Sequence, residues 1–129
     1  MRKTRMTIAA VALALSTVLV STTAEAAPSG CPAGAGCSWK DAGYAGPKFN
    51  FVRNVDDYSK YPGFPLPTYN DKTSSVYNNG STRRWTRFYV NARWRGQYKQ
   101  YEPHSGRDNL ATVSFNDRIS SACFRDYCK

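Results

Sequence analysis

The chain has 129 residues, 18 of them Lys or Arg against nine Asp or Glu, for a formal net charge of +9. That length holds one domain with a modest core and leaves no room for several. The basic excess favours acidic partners, such as acidic surface polymers, nucleic acid or an acidic protein surface, and serves solubility equally well.

The first 26 residues read as a secretory signal peptide. Arg2, Lys3 and Arg5 open it, Ile8 to Val20 is an apolar run too short to span a bilayer comfortably, and Ala24-Glu25-Ala26 offers the small-x-small cleavage pattern. The mature chain is then expected to run from about Ala27 to Lys129, secreted, without a membrane span, and as a monomer. It keeps fifteen basic and eight acidic residues, a net of +7, and all of the Trp, Tyr and Phe. Nine Tyr suit a small β domain whose rings cover a sheet while their hydroxyls reach water.

Cys31 and Cys37 come next, with Cys123 and Cys128 near the far end. Four Cys in an exported chain read as two disulfides. Three pairings are open. The local ones, Cys31–Cys37 and Cys123–Cys128, each staple one end, and a pairing that joins the ends is the rival. Zinc is disfavoured, since neither spacing is Cys-x-x-Cys and there is a single His.

From Cys37 onward the chain is written twice. Trp39-x-Asp41-x-x-Tyr44-x-Gly46 returns as Tyr89-x-Asn91-x-x-Trp94-x-Gly96, and Phe51 and Tyr101 extend the match. Each copy is followed by a second echo: NDKTSS at 70–75 and NDRISS at 116–121. The aromatic–Gly element suits a hairpin whose rings fold over it. Asn79-Gly80-Ser81, between the copies, is a formal glycosylation sequon but reads as a turn. Short aromatic and β-branched runs between frequent Gly and Pro predict an all-β sandwich.

The two elements, in this order and repeated, resemble the two Greek-key motifs of a βγ-crystallin domain, the first over about 37–78 and the second over about 87–124. The Asn-Asp-x-x-Ser-Ser strings resemble the calcium signature of its microbial members. CPAGAGC, NDKTSSVYNNG and NDRISS further resemble the secreted bacterial peptidase inhibitors of this fold, which include metalloproteinase inhibitors. The likeness covers about 31–124 and is specific for fold more than for activity.

The resemblance implies two calcium sites that exchange ligands. Asp71 and Ser74 would ligate from one copy and Asp117 and Ser120 from the other, with backbone carbonyls of Lys72 and Arg118. Asn70 and Asn116 would hold the turns, and Ser75 and Ser121 the strands that follow. Hard oxygens suit calcium. One carboxylate per motif beside a Lys or Arg implies weak affinity, on the order of 10⁻⁵ to 10⁻³ M. The alternative is a pair of metal-free turns in which Asn, Asp and Ser bond the backbone.

The resemblance also implies an extracellular protease as partner. Tyr61 to Pro67 is the candidate inhibitory loop: Pro62, Pro65 and Pro67 stiffen it, and Phe64 and Leu66 would fill apolar subsites. An ordinary connection is the competing reading. The stretch 83–101, RRWTRFYVNARWRGQYKQY, interleaves six cations with six aromatics. It supports an alternative, a calcium-binding module or killer-toxin-like protein on cell-surface or polyanionic ligands, against plain strand alternation. Nothing spells an enzyme. His104 sits in a loop-like Glu-Pro-His-Ser-Gly, Asp56-Asp57 reads as a solvated turn, and no nucleophile or phosphate-loop motif occurs.

Overall fold

A computed structural model describes residues 26–62, 68–81 and 83–129. Residues 1–25, nearly all of the expected signal peptide, lie outside the described residues. Seven strands carry the fold: β1 (Gly36–Asp41), β2 (Ala45–Phe51), β3 (Ser75–Asn78), β4 (Thr86–Asn91), β5 (Arg95–Tyr101), β6 (Ser105–Arg107) and β7 (Ser121–Phe124). All pairings are antiparallel, in two sheets of order β2-β1-β3-β6 and β5-β4-β7.

The crossing of strands between the halves makes two Greek keys. β6 follows β5 in the second copy but pairs with β3 of the first. Its counterpart in the first copy is a single antiparallel bridge, Val55 to Ala122 of β7. Neither half completes its sheet without a piece of the other, so the two copies fold as one body.

Each aromatic–Gly element is a hairpin with a bulge before its turn, between Trp39 and Asp41 in one copy and between Tyr89 and Asn91 in the other. Gly46 and Gly96 stand at φ +76° and +79°. A side chain at Gly46 would run into the Asp41 carboxylate, and one at Gly96 into the Asn91 amide and Val90. That collision, with the positive φ, is why Gly follows the aromatic at this spacing.

Alternation along the strands builds the core. Val76, Phe88, Ala122 and Phe124 face inward and meet Phe51, Val55, Tyr58, Leu110, Phe115 and Ile119 between the sheets. Each buried ring contributes about 1.5–3 kcal/mol. Tyr58 lies wholly inside, where burial pushes its phenol well above the usual range, and its hydroxyl shares a hydrogen bond with Ser38.

The other face of the first sheet carries a second cluster: Cys37, Trp39 and Tyr77 lie under Cys31 and Ala35, with Ala27 and Tyr44 against them. The segment before β1 forms this cover. Asn79 fixes it, donating its side-chain amide to the Cys31 carbonyl and its N–H to the Ala35 carbonyl, while its own carbonyl accepts from Gly34. The disulfides join Cys31 to Cys37 and Cys123 to Cys128. The first is part of the cover, and the second holds the tail to β7.

Candidate functional site

The two Asn-Asp-x-x-Ser-Ser strings meet across a pseudo-twofold. Asp71 N–H donates to the Ile119 carbonyl at 3.0 Å, and Asp117 N–H donates to the Thr73 carbonyl at 2.9 Å. The side chains cross in the same way. Ser120 Oγ donates to Asp71 Oδ1 at 3.1 Å, and Ser74 Oγ donates to Asp117 Oδ1 at 3.5 Å. Both aspartates adopt left-handed backbone, at φ 50° and 51°, which an Asp tolerates better than most residues. Each is braced from behind, by Asn70 Nδ2 on Asp71 Oδ2 and Asn116 Nδ2 on Asp117 Oδ2, both at 2.9 Å.

The last Ser of each string does more than begin its strand. Ser75 Oγ donates to the Asp41 carbonyl and accepts from Tyr44 N–H; Ser121 Oγ donates to the Asn91 carbonyl and accepts from Trp94 N–H. Each therefore ties its motif to the hairpin corner of its own copy. That brings in residues which the strings alone do not contain. Lys40 and Asp41 line a depression of about 360 Å³ with Asp71, Lys72, Ser74 and Asp117. Val90 and Asn91 line one of about 280 Å³ with Asp71, Asp117 and Arg118. Their sequence signal was the repeated Asp or Asn inside the hairpin element.

The donor set fits a hard cation. Carboxylate, hydroxyl and amide oxygens from both copies line the two depressions, although no group of three or more His, Cys, Asp or Glu that could hold a metal gathers among the described residues. Lys72 lines the first depression and Arg118 the second. The Arg118 guanidinium turns away to the Ser114 carbonyl at 2.9 Å and to the Phe115 ring. Lys40 pairs with Asp41 at 3.2 Å and offsets the added carboxylate on the first side.

Of the candidate inhibitory loop, Phe64, Pro65, Leu66 and Pro67 lie outside the described residues, while Tyr61 and Pro62 are exposed. Its approaches are held by one ring. Phe49 packs on Tyr58 and Tyr61 before the loop and stacks on Tyr69 after it, with centroids 5.0–5.2 Å apart. The approach turn is capped by Asp57, whose carboxylate accepts from the Ser59 hydroxyl and N–H; those bonds lower its pKa below the ordinary 3.8. Val52 and Tyr61, both exposed, line a shallow depression there with Phe49 and Phe51.

The basic-aromatic stretch resolves into strand alternation with the cations capping rings. The Arg84 guanidinium lies 3.8 Å from the Phe124 ring centre, and that of Arg87 lies 4.8 Å from Tyr98. Tyr98 also packs on Tyr89.

Known proteins agree with this architecture. A structure described as "Evolution of the eye lens beta-gamma-crystallin domain fold" is 29% identical over 74% of this chain and 89% of that one, with a TM-score of 0.63. Spherulin 3a from Physarum polycephalum is 27% identical over 74% and 86%, with a TM-score of 0.55. A βγ-crystallin from Ciona intestinalis shares the fold at 17% identity over 70% and 99%, with a TM-score of 0.57. A search of the curated proteins gave no match. The fold is that of a βγ-crystallin domain. Residues 24–101 match the family described as peptidase inhibitor family I36, and the chain belongs to that family.

Proposed function

We propose that the protein is a secreted inhibitor of an extracellular metalloproteinase, with a fold stabilised by weakly bound calcium. The observation that carries the reading is the match of residues 24–101 to a family of peptidase inhibitors. Residues 61–67 are the contact segment. Its approaches are fixed on Phe49 at both ends, which lowers the ordering cost of entering a cleft. Exposed Val52 and Tyr61 extend the apolar contact beside it.

Calcium would be held by Asp71, Ser74, Asp117 and Ser120, with the Lys72 and Arg118 carbonyls, on turns braced by Asn70 and Asn116. A cation bound there cross-links the two Greek keys at the turns where they already exchange hydrogen bonds. It contributes stability by mass action, about 1 kcal/mol per site at a few-fold excess over Kd.

The test is an inhibition panel of thermolysin-like, subtilisin-like and trypsin-like proteases, with and without calcium. Inhibition of the thermolysin-like enzyme is expected, and it should vanish when 62–67 is replaced by Gly and Ser at unchanged Tm. Inhibition of no class sinks the peptidase reading. An unchanged Tm and no heat in millimolar calcium sinks the metal reading separately.

A further inference from the structure

The two halves differ most along their outer hairpin strands, β2 and β5, each at the edge of its sheet. An edge strand presents unpaired backbone groups unless something blocks it. β2 is blocked twice. The Tyr69 hydroxyl donates to the Lys48 carbonyl. Phe49 stacks on Tyr69 and fills the space beside the edge.

β5 has lost both blocks at the matching positions, and the backbone N–H and carbonyl of Tyr98, paired with Tyr89 whose own carbonyl bonds Ser120 next to β7, face the edge. Phe115 stands for Tyr69 and has no hydroxyl to give to the Tyr98 carbonyl. Lys99 stands for Phe49, so an ammonium lies over Phe115 in place of a ring, 5.6 Å from its centre. The result is an open groove of about 530 Å³, lined by Gln97, Tyr98, Lys99, Ser114, Phe115 and Arg118. Gln97, Tyr98, Ser114 and Arg118 are exposed. The Arg118 guanidinium also lies 5.6 Å from the Phe115 centre, so two cations flank one buried ring. Among the described residues β5 pairs with β4 alone.

We propose that this groove binds an extended acidic segment of another protein, which adds to the free edge of β5 and places carboxylates against Lys99 and Arg118. Charge complementarity selects the sign, and the open edge selects a peptide backbone. Alternate side chains of an added strand lie about 6.6 Å apart on one face, a spacing that serves two neighbouring cations. A peptide main chain uses the Tyr98 N–H and carbonyl as well as the charges. A nucleic acid would stack its bases on a ring, but the ring in this groove, Phe115, is buried beneath Lys99 and Arg118. A second copy would bring the same cations to the same edge in a chain of net charge +9, and like charges across an interface repel. The site is separate from residues 61–67, so the proposal does not rest on peptidase inhibition.

Anisotropy of a fluorescein-labelled peptide of alternating Glu and Val tests it on the secreted chain, beside an oligouronate and an oligothymidylate of equal charge. The peptide should bind about tenfold tighter than either, which corresponds to 1.4 kcal/mol. Lys99→Glu should weaken it about tenfold. Phe115→Tyr, which returns the hydroxyl, should weaken it about threefold. An amide shift at Tyr98 on peptide addition provides a readout that needs no variant. Equal binding of all three polyanions, preference for oligothymidylate, peptide binding indifferent to both Lys99→Glu and Phe115→Tyr, or a dimer in sedimentation that excludes the peptide would each overturn the proposal. Peptidase inhibition measured in parallel should be unchanged in Lys99→Glu, which keeps the two readings apart.

Discussion

The first and second Greek keys share a frame and differ in what covers it. Trp39 and Tyr89 hold the same position, each on the outer face of the central hairpin strand, and both are buried. Trp39 is buried by a dedicated arm, with Cys31, Ala35 and Tyr77 packed about it. Tyr89 has no arm and packs on Tyr98, which is itself 46% exposed. The edges repeat the contrast. β2 is stopped by Phe49 and the Tyr69 hydroxyl, and β5 by neither of their counterparts. Duplication kept what each half must give the other, the crossing strands and paired turns. It released what each half shows to solvent, and new contacts arise there at little cost to the fold.

Trp39→Ala against Tyr89→Ala is the sharpest test of that contrast. Loss of Trp39 should cost about 3–5 kcal/mol in urea unfolding, and loss of Tyr89 about 2 kcal/mol, because less of its surroundings depends on it. Equal costs would break the comparison. Next come the disulfides. Replacing Cys31 and Cys37 by Ser should cost about 2–4 kcal/mol and expose the Trp39 face. Replacing Cys123 and Cys128 should cost less, since only the exposed tail is released. Protease nicking of the segment before β1 would report the difference.

The paired turns predict the opposite of a contrast. Because Asp71 bonds Ser120 and Asp117 bonds Ser74, Asp71→Ala should weaken both calcium sites in calorimetry rather than one. Two independent sites would leave one isotherm intact. Lys99→Phe should then make the second edge resemble the first. A ring on Phe115 should add about 0.5–1.5 kcal/mol of stability while removing affinity for the acidic peptide.

The smallest effect concerns the turn that leads into 62–67. The folded pKa of Asp57 is lowered by its bonds from Ser59. Its contribution is therefore complete above the ordinary value of 3.8 and is lost as pH falls through the lower folded value. Asp57→Asn should show a slightly shallower decline in Tm than the parent below pH 4, on the order of a degree, since the group is exposed.

Much of this was legible in the sequence because both motifs are local. Trp39 to Gly46 and Tyr89 to Gly96 spell a hairpin through a Gly free to take positive φ. NDKTSS and NDRISS spell a turn used twice. Of the three disulfide pairings the sequence left open, the favoured local ones are those that form. The reach of Ser75 and Ser121 back to the hairpin corners was not legible, nor was the place of Asp41 and Asn91 beside the turns. These contacts join residues more than 25 positions apart. Nor was the direction of Arg118 legible: its charge lies next to Asp117 in the chain, but its guanidinium reaches the Ser114 carbonyl, the Gln97 side chain and the Phe115 ring.

The sequence by itself determined the duplicated hairpin and turn chemistry, the two-sheet plan and the basic, disulfide-bearing character of the chain, since each rests on spacing within one short stretch. Only the tertiary structure decided which half is covered and which is open. Whether a strand edge is blocked depends on a ring and a hydroxyl that come from separate segments, and they act together only once the chain has folded.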